Sequence, residues 1–236
     1  MSLIDLLKKT TPKYQTIIPS TGKKIWFRPF IVKEEKMLLI AQETGKENEI
    51  FKTIVQIINE CFDGIGDAST LPLFDLEYLF IKLRSKSVME TVNPILECPE
   101  TKQNVKLTIN LEDIEVKKFD NHKTKIIISD ELFIQMKYPS ISLFIEHEVE
   151  NMQLIDFYDL AISCIDYIET KDSRIEAEST SKEELREFVD NMTKIQFDEL
   201  IKFFATMPRI EHIVKYKTND GVERSILLKG IKDFFG

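Results

Sequence analysis

The chain has 236 residues, of which 43% are hydrophobic and 31% are charged, and its net charge is −8. A chain of this length buries roughly 70–75% of the surface that its unfolded form exposes, so it needs no metal or disulfide to fold. The acidic balance disfavours a nucleic-acid partner, because such binding requires a basic face that displaces counterions from phosphates.

The composition also indicates where the protein works. No run approaches the ~20 apolar residues of a membrane span, and the N-terminus lacks the positive flank and apolar stretch of a signal peptide. We therefore expect a protein that is made and kept inside a cell. Cys61, Cys98 and Cys164 are widely spaced and odd in number, which is typical of free thiols in a reducing compartment.

The first segments predict a short helix followed by a hairpin. Ser2–Lys9 places leucines at helical spacing but is too short to be stable alone. It therefore packs either on this protein's own core or on a partner. Tyr14–Ile18 and Lys24–Phe30 flank a turn that contains Gly22, which predicts a β-hairpin.

Three helices and a second hairpin are predicted next. Lys33–Glu43 and Glu47–Phe62 have helical patterns, and Asp75 is predicted to cap a third helix, whose apolar residues recur at i, i+3, i+4 and i+7. Val88–Glu97 and Asn104–Ile109 then bracket a polar turn, and the second of these segments alternates as a half-buried strand does.

The second half predicts short strands and then mainly helices. Lys125–Ser129 and Leu132–Met136 are candidate strands, whereas the polar segment Glu169–Lys182 is predicted to be disordered. Further helices are expected in the C-terminal part, including one at Ser142–Glu150. A third hairpin is predicted for Ile210–Tyr216 and Val222–Leu228, joined by an Asp-Gly turn.

A helix followed by a hairpin occurs twice. Phe74–Val116 and Phe197–Phe235 share the order Phe-Asp, amphipathic helix, strand, polar turn, strand and short apolar tail. A duplication or convergent packing explains this order equally well, since a hairpin needs a helix against it to be stable. The predicted fold class is α+β, with amphipathic helices packed on short antiparallel hairpins. The predicted domains are residues 1–120, with the first helix–hairpin unit, and residues 121–236, with the second.

The sequence offers no clear catalytic or metal constellation. A nucleophile needs a base within hydrogen-bond reach, and a zinc site needs about four ligands, but His122, His147 and His212 lie in separate segments. Cys98-Pro99 at a hairpin tip begins as a zinc knuckle does, yet Thr101 stands where the second cysteine would be. We therefore predict no catalytic residue, no metal and no cofactor.

Seven blocks of the sequence are spread over nearly the whole chain. They are Ile18–Lys24, Phe27–Phe30, Lys33–Lys36, Asp75–Phe80, Leu83–Val88, Ala205–Arg209 and Gly230–Gly236. In content and order these blocks resemble the T4-type bacteriophage baseplate hub assembly family. Some members of that family carry paired cysteines in the hairpin turns, whereas this chain has only Cys98.

The resemblance implies a non-enzymatic protein that builds the central hub of a contractile phage tail, either as an assembly factor or as a hub component. It implies phage hub or tail proteins as partners, with no nucleic acid, membrane or small-molecule substrate. It places the protein in the host bacterial cytoplasm during assembly, and in the virion if it remains a component. The alternatives are an adaptor or zinc-knuckle-like binding protein unrelated to phage, and an enzyme whose site is assembled from distant segments.

The first hairpin is the predicted partner-binding surface. Its candidate residues are Lys23, Trp26, Arg28 and Phe30, because tryptophan and arginine are enriched among residues that dominate binding energy at interfaces. A core position for Trp26 is the competing interpretation.

Overall fold

The structure is a computed structural model that describes Leu7, residues 10–147 and residues 154–235, with the backbone alone at residues 146–147 and 154–157. The fold is α+β, as predicted. The predicted N-terminal helix, Ser2–Lys9, lies outside the described residues except for Leu7. No helix in the described part of the chain is long and apolar enough to cross a membrane.

The chain forms two compact units. Met1–Lys117 and Arg209–Gly236 make the first unit, and Lys118–Pro208 make the second. The boundaries of these units differ from those of the predicted halves, because the chain returns to the first unit at Arg209. The division into domains at residue 120 stays a prediction.

The first unit begins with the predicted hairpin. Strand β1 (Tyr14–Ile17) pairs antiparallel with β2 (Lys24–Phe27), which also pairs with β3 (Phe62–Asp63). Residues in β2 alternate between the two faces of the sheet, as strand geometry requires. Ile25 and Phe27 are therefore buried, while Trp26 faces outward.

Three helices supply the core of the first unit. They are α1 (Val32–Glu43), α2 (Glu47–Cys61) and α3 (Leu73–Ser87). The predicted apolar faces of α2 and α3 are confirmed, since they are buried at helical spacing. The fully buried side chains on these faces are Ile54, Ile57, Ile58, Leu76, Leu79 and Leu83.

Asp75 does not cap α3, so that prediction was wrong. The helix begins at Leu73 after Pro72, and Asp75 lies fully buried in its first turn. Its carboxylate accepts hydrogen bonds from the Ser20 hydroxyl and from the Ser20 N–H, the latter at 2.9 Å. A carboxylate near a helix N-terminus is favoured by the helix dipole, and here it also ties α3 to the turn of the first hairpin.

Five short strands follow α3. They are β4 (Thr91–Val92), β5 (Ile95–Glu97), β6 (Asn104–Lys106), β7 (Ile109–Asn110) and β8 (Val116–Lys117). The pairing of β5 with β6 confirms the second hairpin, and β4 pairs with β7. The predicted long strand is interrupted around Pro94, because proline has no N–H for the ladder.

The second unit contains a four-stranded antiparallel sheet. Its order is β12 (Arg174–Glu176), β11 (Ile165–Thr170), β10 (Leu132–Met136) and β9 (Lys125–Ser129). The prediction of disorder at Glu169–Lys182 was wrong. Although its side chains are polar, Arg174–Glu176 pairs with β11 through backbone hydrogen bonds, which do not depend on side-chain polarity.

Four helices accompany this sheet: α4 (Ile141–His147), α5 (Leu154–Ser163), α6 (Lys182–Asp190) and α7 (Lys194–Ala205). Helix α4 agrees with the predicted helix at Ser142–Glu150, whose last three residues lie outside the described part. The apolar faces of the helices and the sheet meet in one core. Its most buried members include Ile134, Ala161, Cys164, Leu200 and Phe203.

The chain then returns to the first unit as the predicted third hairpin. Strand β13 (Arg209–Lys217) pairs with β14 (Glu223–Lys229) and with β8, and the chain continues into the short helix α8 (Lys232–Phe235). Strand β13 contacts α3, the helix of the first predicted repeat, whereas α7 belongs to the second unit. The duplication of a helix–hairpin unit stays a prediction.

Candidate protein-binding surfaces

The structure brings two of the four predicted partner-binding residues to the surface. Trp26 is 50% exposed on the outer face of β2, opposite Asp63 of β3. Lys23 is exposed in the turn, and its Nζ donates a hydrogen bond to the Gly64 carbonyl at 3.0 Å. An exposed tryptophan beside a lysine is suited to contact a partner.

The other two predicted residues have structural contacts. The Arg28 guanidinium donates from Nη2 to Glu34 Oε1 at 2.9 Å, and Glu34 Oε2 accepts the Ile31 N–H at 2.7 Å. Phe30 is only 7% exposed, and its N–H donates to Ser87 Oγ at 3.0 Å. Both residues therefore fix the path of the chain into α1, and a direct role in partner binding stays a prediction.

The tips of the second and third hairpins lie together. Cys98 Sγ accepts a hydrogen bond from the Tyr216 hydroxyl at 3.1 Å, and hydrogen bonds from Thr101 and Tyr216 lower the pKa of Cys98 to about 7. Arg224 bridges the two turns, because it donates to Glu100 Oε2 and to Asp220 Oδ2 at 2.9 Å each. An arginine and two carboxylates therefore join the turns.

The described residues contain no group of three or more His, Cys, Asp or Glu side chains that could hold a metal ion. His122 is instead part of the second unit's packing, where its ring nitrogens lie 3.0 Å from Thr206 Oγ1 and from the Tyr138 hydroxyl. Burial lowers the pKa of His122, which favours the neutral ring. The side chain of His147 lies outside the described residues.

A groove on the first unit is lined mainly by apolar side chains. It has a volume of about 400 Å³ and lies between α1, α2, α3 and the C-terminal segment. Leu38, Ile54 and Phe80 form its buried floor. Pockets that bind ligands or partner side chains typically combine such a floor with a few polar groups.

The rim of this groove exposes further apolar side chains. Leu39 is 55% exposed and Val88 45% exposed, and both line the groove. A second cavity of about 250 Å³ shares Val88 and Phe235 with the groove and reaches Met89, which is 62% exposed. Contiguous exposed apolar surface of this kind marks interaction sites on soluble proteins.

The C-terminal wall of the groove depends on a buried carboxylate. Ile231 and Phe235 line the groove, and the Ile231 N–H donates to Glu77 Oε1 at 3.1 Å. Glu77 is 7% exposed. Gly230, just before Ile231, has φ +60°, and a Cβ atom there would lie 2.6 Å from Glu77 Oε1. Only glycine fits this position without a shift of the carboxylate.

This close approach predicts unequal effects of two glycine substitutions. Gly221 also has positive φ, at +77°, but has open space around its missing Cβ. We expect Gly221→Ala to lower the free energy of unfolding by about 1 kcal/mol from backbone strain alone. Gly230→Ala should lower it by about 2 kcal/mol, because the Cβ also displaces Glu77. Urea denaturation checks both values, and equal losses would contradict the contact.

The groove was missed by sequence reasoning. Its floor and rim combine α1, α2 and α3 with α8, which follows only at Lys232. One available signal was the composition of α1, where Leu38, Leu39 and Ile40 are consecutive and cannot all face one core. Leu38 is buried, whereas Leu39 and Ile40 are 55% and 64% exposed.

Comparison with known proteins identifies the family. The model of the family described as T4 bacteriophage base plate protein matches residues 11–236, which include both compact units. No curated protein and no solved structure matches the chain. The match covers nearly the whole chain and agrees with the sequence blocks at the first hairpin, α3 and the C-terminal segment. The chain therefore belongs to the T4 bacteriophage base plate protein family.

Proposed function

We propose that this protein is a non-enzymatic assembly protein of the baseplate hub of a contractile-tailed phage. The family match over residues 11–236 carries the proposal. The apolar groove with its exposed rim supports it, because such a surface suits contact with another protein. Its partners are other hub or tail proteins, which it meets in the host bacterial cytoplasm during assembly.

The deletion of the gene from the phage genome tests this function. We expect the mutant phage to accumulate tail intermediates without complete hubs, and a plasmid copy of the gene to restore assembly. Normal hubs and normal phage yield in the deletion mutant would contradict the proposal. Enzymatic activity of the pure protein that the assembly requires would contradict its non-enzymatic character.

Mass spectrometry of purified particles separates the two forms of the proposal. A hub component is present in fixed stoichiometry in every particle, whereas an assembly factor is absent from particles although the deletion blocks assembly.

Complementation of the deletion phage by a plasmid copy of the gene also tests the first hairpin. Trp26→Ala should reduce the phage yield while the protein stays folded. Ile127→Ala, at a 62% exposed position of the second unit, should leave the phage yield unchanged.

A further inference from the structure

Arg84 occupies an unusual position in the groove. It lies on α3 in the wall shared by the two cavities, with its guanidinium carbon 4.7 Å from the centroid of the Phe235 ring. Its Nε is buried and has no hydrogen-bond partner among the described residues. A buried donor without an acceptor costs about 1–3 kcal/mol. Because Nε is enclosed, an acceptor on a bound molecule would meet the Nη groups of the same guanidinium instead.

Arg84 keeps its positive charge although it is partly buried in the groove wall. Burial acts to lower the pKa of Arg84, against the opposite effect of the Glu35 charge. Guanidinium groups remain protonated in proteins, so the charge is retained in a mostly apolar wall. Hydrogen bonds between a charged donor and a carboxylate are roughly twice as strong as those between neutral groups.

The shape of the surface favours an extended segment over a small molecule. Exposed apolar side chains continue from Leu39 past Val88 to Met89, along the rims of both cavities. A small ligand would fill one of the two cavities and leave the exposed apolar side chains along the other uncovered. An amphipathic segment covers such a row with side chains at i, i+3, i+4 and i+7.

We propose that the groove binds an amphipathic segment of another baseplate protein, which inserts apolar side chains between α1 and α3 and places an Asp or Glu carboxylate on Arg84. The class of partner rests on the proposed function, whereas the chemistry of the segment rests on the groove itself. Glu35, Glu47 and Lys232 also line the groove, so together with Arg84 its charges balance. A segment with one carboxylate at Arg84 fits this lining better than a strongly acidic segment.

Site-specific photo-crosslinking tests the proposal in the full chain. A benzophenone amino acid replaces Leu39 at the rim, and in a control chain it replaces Ile213, which is 63% exposed on β13. Each protein is produced during infection with the deletion phage, irradiated and digested, and the crosslinked peptides are sequenced by mass spectrometry. We expect the Leu39 probe, and not the Ile213 probe, to capture one segment with apolar residues at helical spacing and an Asp or Glu within one turn.

Charge variants then test the carboxylate. Arg84→Gln should weaken binding of a synthetic peptide of the captured sequence about tenfold, as expected for the loss of one charge-assisted hydrogen bond. Arg84→Glu combined with Lys at the acidic position of the peptide should restore binding. Leu39→Glu, at an exposed position that folding does not require, should also weaken binding at least tenfold, and Ile213→Glu should leave it unchanged.

Several results would overturn the proposal. They are a captured peptide without an acidic residue, a captured peptide from a second copy of this chain, equal capture by both probes, and unchanged peptide affinity in Arg84→Gln. These failures are distinct from failure of the proposed function. In one such outcome the deletion phage lacks hubs while the Leu39 probe captures no peptide or only a polar one. That combination would support the assembly role of the protein and exclude the groove as its binding site.

Discussion

Glu77→Gln is expected to stabilise the first unit at pH 7.5 by about 1–3 kcal/mol and to remove most of its pH dependence between pH 4.5 and 7. Burial raises the pKa of Glu77 from 4.5 to about 7; the Ile231 N–H opposes this shift and the Glu47 charge adds to it. One pKa unit corresponds to about 1.4 kcal/mol. At pH values above the pKa of the folded chain, the full shift therefore lowers the free energy of unfolding by up to about 3 kcal/mol.

The sign follows from the two states of the carboxyl group. The folded chain prefers the protonated form, whereas the unfolded chain ionises near pH 4.5. The stability that the neutral group provides is complete below pH 4.5 and is lost as the pH rises to about 7. Glutamine stays neutral throughout, and its side-chain oxygen can still accept the Ile231 N–H.

Urea denaturation at several pH values measures this effect. Trp26 is the single tryptophan of the chain and lies in the first unit, so its fluorescence reports the unfolding of that unit. Glu223→Gln, which changes an exposed carboxylate at the start of β14, is the control and should leave the pH profile unchanged. A less stable Glu77→Gln variant at pH 7.5 would show that Glu77 is stabilised as an ion.

Glu34→Ala is expected to destabilise the first unit by about 3 kcal/mol at pH 7. The carboxylate is 1% exposed and accepts from both Arg28 and the Ile31 N–H. Burial acts to raise the pKa of Glu34, but these hydrogen bonds outweigh it and the pKa is lowered. Alanine leaves the partly buried Arg28 guanidinium and the N–H of Ile31, the residue before α1, without this acceptor. The loss of one partner of a buried pair is strongly destabilising.

The neighbouring position provides a matched control. Glu35 follows Glu34 on α1 but is exposed, so Glu35→Ala should change the free energy of unfolding by less than about 0.5 kcal/mol. The contribution of Glu34 should also disappear in acid, because the stability from a lowered pKa is complete above the pKa of the unfolded chain and is lost as the pH falls through the pKa of the folded chain. Equal stability of the two variants at pH 7 would refute the role of the Arg28–Glu34 pair.

The periodicity of the sequence predicted the helices and hairpins well where one face of an element is buried. The apolar face of α3 is an example, because Leu76, Leu79 and Leu83 recur at helical spacing and are fully buried. Glu77 lies outside this stripe, yet it is buried as well. Its burial depends on Ile231, which lies 154 residues away along the chain, and no local pattern records such a contact.

The errors have the same origin. Asp75 has the residue type of a helix cap, but Ser20, in a turn 55 residues away along the chain, donates hydrogen bonds to its carboxylate, which is buried. The segment Glu169–Lys182 has the composition of a disordered chain, but Arg174–Glu176 is paired with β11 as an edge strand. The groove is a further case, because the exposure of Leu39 and the position of Arg84 are set by elements that meet only in the folded unit.

The return of the chain to the first unit at Arg209 has a consequence for synthesis on the ribosome. Residues 118–208 form their compact unit from one continuous segment, so this unit has all its residues before the C-terminal hairpin emerges. The first unit cannot complete its fold until β13 and Ile231 have been synthesised, because β8 pairs with β13 and Glu77 accepts the Ile231 N–H. During translation the α3 face therefore stays uncovered, and the wall of the groove forms only after Ile231 and Phe235 have left the ribosome.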